Sequence, residues 1–141
     1  MGEPEREDHV VACFPDQGFA LARLRGDIYG DDIVDVGRTI ATHPEWRPGF
    51  TEVWDMNQTA AVDLTPADLP KLQSIETELK DLLAGTRTIV IVDRPMLRYS
   101  LQFYSHMVRP FGREIVVVRT NKEAADLLGI PALPELRKNG R

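Results

Sequence analysis

Two runs of β-branched residues, Thr88 to Val92 (TIVIV) and Ile115 to Val118 (IVVV), constrain the fold of this chain most strongly. A strand with one wet face alternates polar and apolar residues. Neither run does, so each reads as a strand covered on both sides. Between them, Met96 to Val108 carries Leu97, Leu101, Tyr104 and Val108 at helical spacing. Short buried strands joined through helices imply a parallel sheet with helices packed on it.

The N-terminal half begins differently. Val10 to Phe14 and Phe19 to Leu24 are strand-like, and Pro15-Asp16-Gln17-Gly18 between them is a turn sequence, which predicts a hairpin. Gly26 to Gly30 reads as a second turn. Asp31 or Asp32 then caps a helix with Ile33, Val36, Ile40 and Ala41 on one face, ended by His43-Pro44. Phe50 to Met56 (FTEVWDM) is the third strand. Asp55 closes it, and Asp63, eight residues on, opens the approach to the next helix. Thr65-Pro66-Ala67-Asp68 is a capping box with proline at the first helical position. Leu69, Leu72, Ile75, Leu79 and Leu82 form the core stripe that follows, with Glu76, Glu78, Lys80 and Asp81 in water. Pro70 cannot donate to the helix ladder, so the first turn is expected to stand apart, with Asp68 as the effective cap. Asn121 caps a last helix bearing Ala124, Ala125, Leu127 and Leu128.

The predicted class is α/β: a mixed sheet, an N-terminal hairpin then parallel strands, with packed helices. Residues 1–9 are expected to be a tail, 10–129 a single domain, and 130–141, with two prolines and a basic end, a wandering C-terminal tail.

The chain's 141 residues suit one domain that buries about two-thirds of its unfolded surface. A net charge of −5 argues against a nucleic-acid partner, which demands basic stripes. The one cysteine, Cys13, excludes an internal disulfide and sits in an apolar run, where it reads as a small buried hydrophobe. No apolar run approaches 18 residues, so no stable membrane insertion is expected. The N-terminus (MGEPERED) lacks the apolar segment of a signal peptide, and a cytoplasmic location follows as the expectation.

Sites for chemistry are sparse. His9, His43 and His106 are scattered, and Asp31, Asp32 and Asp35 lack the alternating donors and closing Glu of a calcium loop, so no metal is expected. There is no nucleophile elbow, phosphate loop or dinucleotide fingerprint, so no cofactor is expected and no catalytic residue is nominated. Asp93, Tyr99 and His106 are the nearest approach to an enzyme's set. The sharper candidate is Thr65, with Asp63 and Asp55. A helix start presents free N–H groups to an anion, and phosphorylation there would add acceptors at the positive end of the helix.

The segments WRPGF (46–50), WDMNQTAAVDLTPADL (54–69), LRYSLQFY (97–104) and REIVVVRTNKEAADLLG (113–129) resemble the SpoIIAA-like, STAS-related small bacterial proteins. The resemblance runs from the first hairpin to about Leu128. It implies a SpoIIAA-like fold and a regulatory or protein-interaction module without catalytic activity, whose protein partner is unidentified. STAS antagonists carry an Asp-Ser-Ser-Gly motif whose second serine a partner kinase phosphorylates. Here Asp63 matches and Thr65 falls on the phosphorylated position, while Leu64 and Pro66 depart from the pattern. The alternative is a carrier of a small apolar ligand or lipid, as in the related SEC14 domain, with Trp46, Tyr99, Phe103, Met107 and Phe111 as pocket residues. Exposed edge strands make a homodimer a further expectation.

Overall fold

The antiparallel hairpin forms as its turn chemistry dictates. β1 (Val10–Phe14) pairs with β2 (Phe19–Tyr29) through a turn in which Gly18 takes a φ of 76°. In this computed structural model, which describes residues 9–95, 97, 98, 101, 102 and 113–136, β2 then leads into α1 (Gly30–Ala41) and β3 (Thr51–Asp63). A 3₁₀ turn (Pro66–Asp68), α2 (Leu69–Glu78), β4 (Arg87–Ile91), β5 (Glu114–Val118) and α3 (Asn121–Leu128) follow. Pro95, Leu97, Arg98, Leu101 and Gln102 are helical, and the remainder of the helix expected to reach Val108 lies outside the described residues, as do residues 1–8 of the expected N-terminal tail. The sheet runs β1-β2-β3-β4-β5, antiparallel at the hairpin and parallel thereafter, as the sequence predicts.

Two strands outrun their expected ends. β2 does not stop at Leu24. Register shifts around Arg25 and Gly26 let it continue to Tyr29, with Gly26 at a φ of 72°. Asp55 likewise does not close β3, which pairs with β2 all the way to Asp63. β4 ends opposite Asp55, so β3 leaves its edge open beyond that point. There the Arg94 guanidinium donates to the carbonyls of Thr59 (2.7 Å) and Ala60 (3.0 Å).

Strand alternation sorts the core into two layers. Ala20, Ala22, Trp54, Met56, Val90 and Ile115 face α1, α2 and Leu101. Phe19, Leu21, Val53, Ile89, Ile91 and Val118 face the other way, toward Ala124 of α3. The eight residues of α3 span only about 12 Å, too little to cover a five-stranded sheet about 20 Å wide. Residues 130–136 of the C-terminal segment expected to wander fill the gap, with Ile130, Leu133 and Leu136 packed on this second layer, and residues 137–141 lie outside the described residues. The Leu136 carbonyl accepts a bond from Arg23 at 3.4 Å.

Candidate functional site

Alternation along β3 places Glu52 on the same face as Trp54 and Met56, beneath the helices. It lies opposite Ala20 on one side and Thr88 on the other. Arg113, the residue before β5, reaches into the same lateral row. Its Nη2 donates to Glu52 Oε1 (2.9 Å) and Thr88 Oγ1 (2.6 Å), and its Nη1 donates to both oxygens of Glu76 (2.7 and 2.8 Å). Glu52 Oε1 also accepts from the Thr88 hydroxyl (2.9 Å) and the Trp54 indole (3.2 Å). Glu76 comes from α2. Its position four residues after Leu72 and one after Ile75 turns it inward, so the expectation that it is wet fails: it is 7% exposed. Burial pushes the Glu76 carboxyl above its ordinary range. Arg113 pulls against that shift, and the charge on Glu52 adds to it. The stripe of α2 also ends differently, because the helix stops at Glu78: Leu83 is buried, and Leu82 is 39% exposed.

A half-open cavity of about 70 Å³ lies between α1, α2 and the sheet. Ile33, Leu72, Ile75, Val90 and Leu101 give it apolar walls, and Glu52, Glu76, Thr88 and Arg113 supply a polar one. Gly37 on α1 lines it too. A Cβ there would stand 4.0 Å from Trp54, its nearest neighbour, so the missing side chain leaves space.

Among the described residues, Asp55 is not brought beside Asp63 and Thr65. Asp55 is 3% exposed on the opposite face of the sheet, where it accepts from Arg23 Nε and the Asn57 amide, each at 3.1 Å. Asp63 is exposed at the far end of β3, separated from Asp55 by roughly 25 Å of strand. Thr65 is exposed beyond it, and the capping box forms: the Asp68 carboxylate accepts from the Thr65 amide (2.9 Å) and hydroxyl (3.2 Å). Thus a carboxylate already holds the place an anion would take at this turn. The first turn is separate, as Pro70 implies, with Asp68 as the N-cap of α2. Trp46 is buried. Its indole donates to the Leu82 carbonyl (2.8 Å) and meets Phe50 edge-on at 5.6 Å, and it is not among the residues lining the cavity. Tyr99, Phe103, Met107 and Phe111 lie outside the described residues, as does His106. Asp93 is exposed at 3.7 Å from Arg119. Among the described residues no cluster of ligating side chains is disposed to hold a metal ion, and no helix is long and apolar enough to cross a membrane.

Sequence reasoning passed over Glu52, Glu76 and Arg113, although each left a trace. Glu52 shares the phase of Trp54 and Met56, Glu76 falls inside the apolar stripe of α2, and Arg113 directly precedes the β-branched run of β5.

The architecture is shared with solved structures. An uncharacterised protein of the DUF3478 family with a SpoIIAA-like fold, from Shewanella loihica PV-4, superposes with a TM-score of 0.56 at 12% identity, over 91% of this chain and 98% of that one. The anti-sigma factor antagonist SpoIIAA in its unphosphorylated form gives 0.53 at 18% identity, over 86% of this chain and 97% of that one. Neither a family model nor a curated protein matches the sequence. The chain has the SpoIIAA-like fold that its residues implied.

Proposed function

We propose that this chain is a binding module that houses a small, largely apolar ligand under α1 and α2. The half-open cavity carries the reading: apolar on most sides, with one buried polar wall. Small-molecule sites combine these two elements, an apolar lining and a few fixed polar groups. The cavity holds about 70 Å³, about half of the ~150 Å³ that admits benzene in an engineered apolar cavity. A ligand therefore enters by one end. Gly37→Leu supplies the test. The side chain fills the space beside Trp54, and a helical glycine is replaced by a residue more favourable by about 0.8 kcal/mol. The variant is expected to fold at least as well as the wild type and to lose both the co-purifying ligand seen by native mass spectrometry and any thermal shift with small apolar compounds. A wild-type protein that carries no ligand and shifts with none would refute the reading.

A protein-interaction role of STAS type is the second reading. It draws on the likeness to an anti-sigma factor antagonist and on the exposure of Thr65 ahead of α2. A phosphoryl group on Thr65 would have to expel the Asp68 carboxylate from the turn, which would give a kinase a local switch. Incubation with lysate and ATP, followed by mass spectrometry of the peptide containing Thr65, is expected to find added phosphate there; an unmodified peptide and no captured partner would sink this reading.

A further inference from the structure

The charge on the cavity's polar wall selects among ligand head groups. The charged side chains lining the cavity among the described residues are Glu52, Glu76 and Arg113, that is, two carboxylates and one guanidinium. Their side chains are 3%, 8% and 7% exposed, so water screens them little. Arg113 is divided between both acids and Thr88. Burial raises the Glu76 carboxyl and Arg113 pulls against that shift; a cation beside the pair would favour the ionised form, and with both acids ionised the wall carries one net negative charge.

A ligand carboxylate beside this wall would bring the buried balance to two negative charges, and isolated buried charge is costly. An ammonium brings the balance to zero. Ionised carboxylates also accept hydrogen bonds and donate none, so the wall complements a donor. By proportion to the benzene-sized cavity, the enclosed space admits about three non-hydrogen atoms: a head group and its first carbons, with the rest of the chain in the mouth.

We infer that the cavity takes a small aliphatic amine, its ammonium against the Glu52–Glu76 wall and its chain against Ile33, Leu72, Ile75 and Val90. This rests on the cavity being a ligand site. An alcohol of the same chain length fits less well, because it donates one bond and brings no charge. A carboxylate of the same length is rejected.

Three probes with one chain, hexylamine, hexanol and hexanoate, separate these cases on the wild-type protein at pH 7.5. Binding is read from the methyl resonances of Ile33, Leu72, Ile75 and Val90, which report the cavity and not general attraction of an amine to an acidic surface. The expected result is saturable movement of these methyls, with hexylamine at least tenfold tighter than hexanoate and hexanol between them. Hexanoate binding as tightly as hexylamine at the same methyls overturns the head-group inference while the cavity reading stands. If these methyls stay in place with all three probes, both fall.

Discussion

Replacing Arg113 with glutamine tests the polar wall most directly. Its guanidinium makes two bonds to Glu76 and one to Glu52, and all three side chains are less than one-tenth exposed. At the effective dielectric of about 20 that suits protein sites, an ion pair near 3–4 Å contributes about 4–5 kcal/mol of attraction. Two such pairs are offset by the desolvation of the guanidinium itself. Removing one partner of a buried ionic cluster costs about 3–5 kcal/mol net, because uncompensated charge stays behind. The shorter glutamine amide can donate to only one acid, so the lower half of that range is expected. The pH dependence carries the more specific signature. Burial already holds the Glu76 carboxyl above its unfolded value, and without the opposing pull of Arg113 it rises further. A carboxyl raised in the folded state makes the folded protein bind more protons than the unfolded chain. Its contribution is therefore fully present below the unfolded carboxylate pKa of about 4.3 and is lost as pH rises through the folded value. The variant's deficit should be greatest at pH 7.5 and shrink at pH 5. Urea unfolding followed by tryptophan fluorescence and far-ultraviolet circular dichroism at both pH values measures it. A loss below 1 kcal/mol at pH 7.5, or an equal loss at both, would refute the assignment of a buried, charge-compensating role to Arg113.

Two further outcomes are expected. A Cβ on Gly30 would overlap the Asp68 carboxylate, standing 2.9 Å from Asp68 Cβ, so Gly30→Ala should cost about 1 kcal/mol through the disrupted cap; the same change in an Asp68→Gly background, which removes both the carboxylate and that Cβ, should cost almost nothing, and additive losses in this double-mutant cycle would contradict the contact. Truncation after Gly129 removes Ile130, Leu133 and Leu136 from the second layer and should lower stability by about 2–4 kcal/mol in urea titration, whereas a chain with an idle tail would lose none.

The sheet was legible because its signals are local. A turn between two apolar runs makes a hairpin, and a β-branched run of five makes a covered strand, whatever else the chain does. The ends of β2 and β3 were not legible. Gly26 reads as a turn residue, and only the partner strand makes it a bulge within a continuing strand. The C-terminal segment defeats a local reading for the same reason: Pro131 and Pro134 forbid regular structure, yet they do not prevent Ile130, Leu133 and Leu136 from filling a gap that the short α3 leaves. The aspartates Asp55 and Asp63 share a strand, but one lies on a buried face and the other at a wet end. The polar wall was hidden by distance along the chain. Glu76 looks like one more charge on a helix until Arg113, 37 residues later, is known to lie beside it.

Glu52 also bears on the offset at which β3 lies between its neighbours. It stands directly between Ala20 and Thr88, where the small alanine leaves room and the threonine hydroxyl answers it. Sliding β3 by one residue would turn this carboxylate to the opposite face, among Phe19, Leu21 and Ile89. Sliding it by two would keep the face but carry the charge away from Thr88 and Arg113. Apolar side chains such as Val53 would tolerate either slip far better than a carboxylate can, so Glu52 on one face and Asp55, paired with Arg23, on the other penalise any change in the alignment of β3 with its neighbours.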